Sequence, residues 1–229
     1  MVVSLRSALE QWLGADSNSG CVEQELRPRL GSMVVAPGPD AVTINDLGCD
    51  YLAGGERLDL SRALFVVAAR LGSVEALLNL GYVYWYGKGV AVNERKALAC
   101  YRAAARRGSL DGHYEMGQVH RGSSEPLPAE RKICPNPDDA CACYAIAAAG
   151  GHRDAMFALG DLLLDPLYDG YDEPRGLYWL MFAAASGEPL AADRLACFYD
   201  QTCFGLPDPG HLMREFWRGY RIRREAAAD

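Results

Sequence analysis

No apolar run in the chain approaches the ~18 residues of a membrane-spanning helix, and Glu10 and Gln11 follow Met1 to Arg6 too soon for a secretory apolar region. A cytoplasmic protein without a membrane partner is expected. Histidine is scarce, four in 229 residues. His113 and His120 lie seven apart at positions that periodicity assigns to packing, while His152 and His211 fall at helix boundaries with no nucleophile near them in sequence. No Ser-His-Asp order, paired-carboxylate motif or dinucleotide fingerprint can be read, and Gly87-Lys88-Gly89 lacks the spacing of a phosphate loop. No catalytic residue and no cofactor are therefore expected. Cysteine is not scarce, at eight. Cys134, Cys141 and Cys143 cluster, but residues i and i+2 of a helix point about 200° apart, which opposes joint ligation of a metal. Free thiols packed as small, buried apolar groups are the expectation.

What the chain does have is a motif that returns. Leu47-Gly48, Leu80-Gly81, Met116-Gly117, Leu159-Gly160 and, degenerately, Leu195-Ala196 mark one helix-compatible run. Ala68-Ala69 before Gly72, Ala104-Ala105 before Gly108, Ala147-Ala148 before Gly151 and Ala183-Ala184 before Gly187 mark a second. From Gly81 and from Gly72 alike the markers step by 36, 43 and 36 residues, so both runs share one insertion. A period of this size is that of a stacked α/α solenoid. Glycine inside a helix costs about 1 kcal/mol against alanine, so its recurrence calls for a return, expected as close approach of a neighbouring helix backbone.

Each second run opens on a signal. Ala97, Ala140, Gly176 and Leu212 occupy one column, and four residues earlier stand Asn93, Asn136, Asp172 and Asp208, types that cap a helix start. Pro137 and Pro209 follow two of these caps at the first helical position. This register places Phe216 in the column of Tyr101 and Tyr144, and Gly219 in that of Ala104.

The run Ala76-Leu77-Leu78-Asn79-Leu80-Gly81-Tyr82-Val83-Tyr84, then Gly87-Lys88-Gly89-Val90, Asn93, Ala97, Tyr101, Ala104-Ala105 and Gly108 resembles the Sel-1-like repeats, short relatives of the tetratricopeptide repeat. The resemblance implies an all-α fold: a right-handed α/α superhelix of about five helix pairs at about 41–73, 74–109, 110–152, 153–188 and 189–225. Residues 1–40 are then an N-terminal cap, in which Leu5, Leu9, Trp12 and Leu13 have helical spacing. The insertion from Arg121 to Pro137, rich in proline, is a loop. The family implies a protein-binding scaffold or adaptor. An immunity protein neutralising a toxin would use the same surface. A secreted, cysteine-rich branch has been linked to β-lactam binding, but its cysteine columns hold Ala105, Ala148 and Ala184 here.

In such arrays the first helices line a concave groove, and the positions looking into it flank the glycine marker. They hold Asn45, Cys49 and Leu52; Leu78, Tyr82 and Trp85; Tyr114, Gln118 and Arg121; Phe157, Asp161 and Leu164; and Asp193, Cys197 and Asp200. The first part of this groove is aromatic, suited to anchoring a partner. The later part is acidic. With a net charge of −7 on the chain, it favours a protein or peptide with a basic segment over nucleic acid. Arg214, Arg218 and Arg221 form one stripe on the last helix, expected as the solvated face of a terminal cap.

Overall fold

The computed structural model describes residues 40–55, 57–122, 134–202 and 209–225. Every regular element among them is helical: α1 (Ala41–Gly54), α2 (Leu58–Arg70), α3 (Val74–Tyr86), α4 (Glu94–Ala105), α5 (Leu110–Arg121), α6 (Pro137–Ala149), α7 (Arg153–Leu163), α8 (Glu173–Ala185), α9 (Pro189–Thr202) and α10 (Pro209–Glu225). The fold class is the expected all-α, α/α solenoid. The expected cap helix and most of the Arg121–Pro137 loop lie outside the described residues, as does Asp208. The chain divides into two compact units, 1–112 and 113–229. Phe65, Leu60 and Val83 sit in the core of the first, and Tyr144, Leu159, Leu180 and Leu195 in that of the second.

Polar signals in the sequence fix where the helices start and stop. Asn93, Asn136 and Asp172 accept from backbone N–H groups of the first turns of α4, α6 and α8. Their own N–H groups donate back to the carbonyls of Tyr84, His120 and Leu163, at 2.8–3.0 Å, tying each second helix to the end of its first. At the other end the alanine pairs serve a second purpose. Gly72, Gly108, Gly151 and Gly187 all have positive φ. In each case the glycine N–H reaches the second alanine carbonyl and the next residue's N–H the first, as in Ser73 N to Ala68 O at 2.9 Å. This is a Schellman motif repeated four times.

The glycine markers meet side chains more than backbone. A Cβ on Gly48 would lie 2.7 Å from Phe65 Cε1, and one on Gly81 or Gly117 would fall against the ring of Tyr101 or Tyr144. Only at Gly160 does a neighbouring backbone, the Gly176 carbonyl at 2.9 Å, share the contact. The last helix is offset by one residue from the expected register. Trp217 is 7% exposed and joins the core, whereas Phe216 is 50% exposed. Thiol packing is mixed as well. Of the six described cysteines, Cys143 is buried, Cys49, Cys100 and Cys141 are half-buried, and Cys134 and Cys197 are exposed.

Candidate functional site

In the first unit, the last turn of α1 and the middle of α3 bound an open cleft of about 510 Å³, lined by Cys49, Leu52, Leu58, Asn79, Tyr82 and Lys88 among others. Its floor is polar. Asn79 Nδ2 donates to Asn45 Oδ1 at 2.9 Å and to Cys49 Sγ at 3.4 Å. Burial, then the nearby Asp46 carboxylate, pushes the Cys49 thiol up, so it stays neutral. Tyr82 stands at the rim, 39% exposed, its ring 4.6 Å from that of Tyr86, which is 55% exposed. Trp85 and Leu78 are half-buried. Asn45, expected in the groove, is instead buried beneath it at 7% exposure.

In the second unit the expected groove residues form a hydrogen-bonded ladder. Tyr114 stacks on His152, with 4.8 Å between ring centroids. Gln118 donates through Nε2 to the Tyr114 hydroxyl at 2.5 Å and accepts at Oε1 from the buried Tyr144 hydroxyl at 3.1 Å. Burial raises both phenols, so they remain protonated. Asp161 on α7 then receives Arg121 of α5 at 2.5 Å and Arg194 of α9 at 2.6 Å. Burial alone would raise its carboxyl, but the two guanidinium hydrogen bonds outweigh burial and hold it below the usual range. Arg121 is shifted up, because its bond to Asp161 outweighs its own desolvation.

The acids of the expected groove are thus not bare. Asp193 pairs with Arg221 at 2.8 Å and Asp200 with Arg214 at 2.6 Å. Three carboxylates meet four guanidiniums, and Arg214 and Arg221 of the α10 stripe pair with α9 where a solvated face was expected, while Arg218 stays half-exposed beside Glu215. Leu164 is also misplaced by the column argument. It is 3% exposed, and a Cβ on Gly176 would lie 2.7 Å from its Cγ. Phe157 is half-buried and packs on the core, and Cys197 is exposed. Asn79 escaped the sequence argument. Its signal was an amide between leucines in an otherwise apolar helix. No group of three or more His, Cys, Asp or Glu side chains able to hold a metal occurs among the described residues. No described helix is long and apolar enough to cross a membrane.

The sequence profile of the Sel1 repeat matches residues 74–109, 111–152 and 153–188. Chitin synthase regulatory factor 4 of Schizosaccharomyces pombe is 32% identical over 163 residues, covering 70% of this chain and 24% of that protein, so the chain spans about a quarter of this curated relative. Among solved structures, a Sel1 repeat protein from Oxalobacter formigenes superposes with a TM-score of 0.65 at 22% identity, over 80% of this chain and 73% of that one. The antigen c5321 of uropathogenic Escherichia coli, described as displaying an SLR fold, gives 0.65 at 19% identity, over 81% and 38%. At these identities the structures establish the fold.

Proposed function

We propose that this chain, which belongs to the Sel1 repeat family, is a non-enzymatic scaffold that binds a protein or peptide segment on the face built by its first helices. Repeats of this family commonly act as protein-interaction scaffolds, and a regulatory factor among its relatives is in keeping with action by binding. The observation that carries the proposal is the cleft of the first unit: Tyr82 at its rim, its ring against that of Tyr86, above a floor of Asn79 and Cys49. Such a surface combines large contact area at small entropic cost with groups that fix a peptide backbone. Within the second unit, taken by itself, Tyr114, Gln118, Arg121, Phe157, Asp161, Asp193 and Asp200 would offer a contact surface of their own. A basic partner segment is supported by the net charge of −7; the three paired aspartates add little to that support. Native-host capture would supply the partner, and pull-down with Tyr82→Ala plus Trp85→Ala tests the site. Losing an anchor pair at an interface centre costs roughly 2–4 kcal/mol, so binding should fall by at least about thirty-fold with the melting temperature unchanged. Undiminished binding would refute the site, as would a loss that merely follows unfolding.

A further inference from the structure

The second helices of the first unit carry a basic stripe. Arg95 and Arg102 of α4 and Arg106 at its C-terminal cap stand at i, i+7 and i+11. At about 100° per residue the three lie within about 20° of one line. All three are exposed, on the side roughly opposite the buried Ala97, Tyr101 and Ala104. Arg107 donates to the Ala69 carbonyl at 3.3 Å, which brings the last turn of α2, with its exposed Arg70, against the end of α4. Among the described residues, none of Arg70, Arg95, Arg102 and Arg106 has an ion-pair partner. Glu94, the acid of α4, is 5% exposed, and Asp59, in the matching column of α2, faces Arg57 at 3.4 Å. In the second unit, by contrast, Arg121, Arg194, Arg214 and Arg221 all meet aspartates. The helix dipole favours Arg70, Arg102 and Arg106 at C-terminal ends but disfavours Arg95 in the first turn of α4, and Arg102 and Arg106, four residues apart, repel each other. Electrostatics within the chain thus accounts for only part of the stripe.

We propose that this stripe docks an acidic segment of a partner protein. It shares no residue with the cleft of α1 and α3 and is a second surface beside it. Charge complementarity selects the occupant: guanidinium forks bind carboxylates through two parallel hydrogen bonds, and here the forks are exposed and unpaired. Length agrees. From Arg95 to Arg106 the helix rises about 16 Å, the span of about five residues of extended chain. Larger polyanions fit less well. A nucleic acid or an anionic membrane extends past the stripe and would meet a chain whose net charge is −7. A single strand would also find no base to stack on, because the one aromatic of α4, Tyr101, is 3% exposed. A short acidic segment need cover only the stripe.

Fluorescence anisotropy with the full chain and a labelled oligoglutamate peptide of about eight residues, long enough to cover the stripe, tests this. Binding is expected at micromolar concentration in low salt and should weaken as salt rises. Arg102→Gln with Arg106→Gln should raise the dissociation constant at least about tenfold with circular dichroism unchanged, and Arg70→Gln with Arg95→Gln, a second pair in case the first fails to fold, should do the same. Arg153→Gln with Arg175→Gln alters net charge equally from exposed sites in the second unit and should leave binding as it is. No binding at about 100 μM, roughly tenfold above the weakest affinity expected of such a contact, overturns the proposal. So does an equal loss in the second-unit control, which would trace binding to net charge. Tighter binding of a labelled single-stranded DNA or of phosphatidylserine vesicles than of oligoglutamate, lost in the same Arg102/Arg106 variant, would make the occupant a nucleic acid or a membrane and also overturn it.

Discussion

Gly48→Ala perturbs the repeat spine at its contact with Phe65. Taken alone, helix propensity says that it should stabilise α1 by about 1 kcal/mol. The packing says otherwise: the added Cβ would sit 2.7, 2.9 and 3.3 Å from Cε1, Cδ1 and Cζ of Phe65, whose side chain is fully buried. To restore an ordinary 3.4 Å contact the ring must retreat by about 0.7 Å into a filled core, and overpacking of that kind costs about 1–3 kcal/mol. Gly54, at the end of the same helix, is an internal control with nothing within 4 Å of its built Cβ. Urea denaturation should therefore place Gly48→Ala about 1–3 kcal/mol below Gly54→Ala, or roughly 2–12 °C lower in melting temperature for a chain of this size. Phe65→Leu should relieve the strain, so that Gly48→Ala costs less in its background than in the wild type. Equal gains at Gly48 and Gly54 would refute the close approach to Phe65 as the reason for the glycine.

Other outcomes follow from the same geometry. Asp161→Asn should destabilise the 113–229 unit by about 1–3 kcal/mol, since it strands Arg121 and Arg194 half-buried. Because the folded carboxyl is held low, its contribution is complete above about pH 4 and fades as pH falls through the lowered value. Acid should therefore close the gap between wild type and Asp161→Asn; a gap constant from pH 7 to pH 2 would contradict the ion-pair account. Trp217→Ala should cost about 3–5 kcal/mol as a core truncation, and Phe216→Ala well under 1.5, measured by thermal melts. Among the described cysteines, iodoacetamide at pH 8 should modify Cys134 and Cys197 first. Cys100, its thiol pushed up to about 11 by burial, and Cys143 should react only on unfolding; peptide mass mapping in a time course reads the order.

The helix starts were legible because Asn93, Asn136 and Asp172 act locally, within three residues of the N–H groups they satisfy. The pairing of Gly48, Gly81 and Gly117 with rings was half legible: the small residue showed, but its partner lies on another helix and its chemistry did not. The one-residue offset of α10 arose where no marker glycine calibrates the segment between α9 and α10, so Phe216 and Trp217, adjacent aromatics, were equally good candidates on sequence. Pairing of Asp161 with Arg121 and Arg194 joins residues 40 and 33 positions apart. A column count sees three acids; only the fold brings cations over them, from the flanking first helices to Asp161 and from α10 to Asp193 and Asp200. Leu164 was misassigned because α7 ends at Leu163, and past a helix end the angular bookkeeping no longer holds.

The recurring joint after each second helix bears on how such a chain can change length. Four times, an alanine pair and a left-handed glycine hand the chain to the next helix through the same two hydrogen bonds. A segment cut from one such joint to the next therefore begins and ends in the same backbone geometry. Duplicating residues 73–108 in tandem would present each copy with the entrance and exit it already has. Loss of such a segment would close the gap in the same way. Length becomes a heritable variable separable from fold, and a binding surface of a different span can arise in one recombination event without a single new turn.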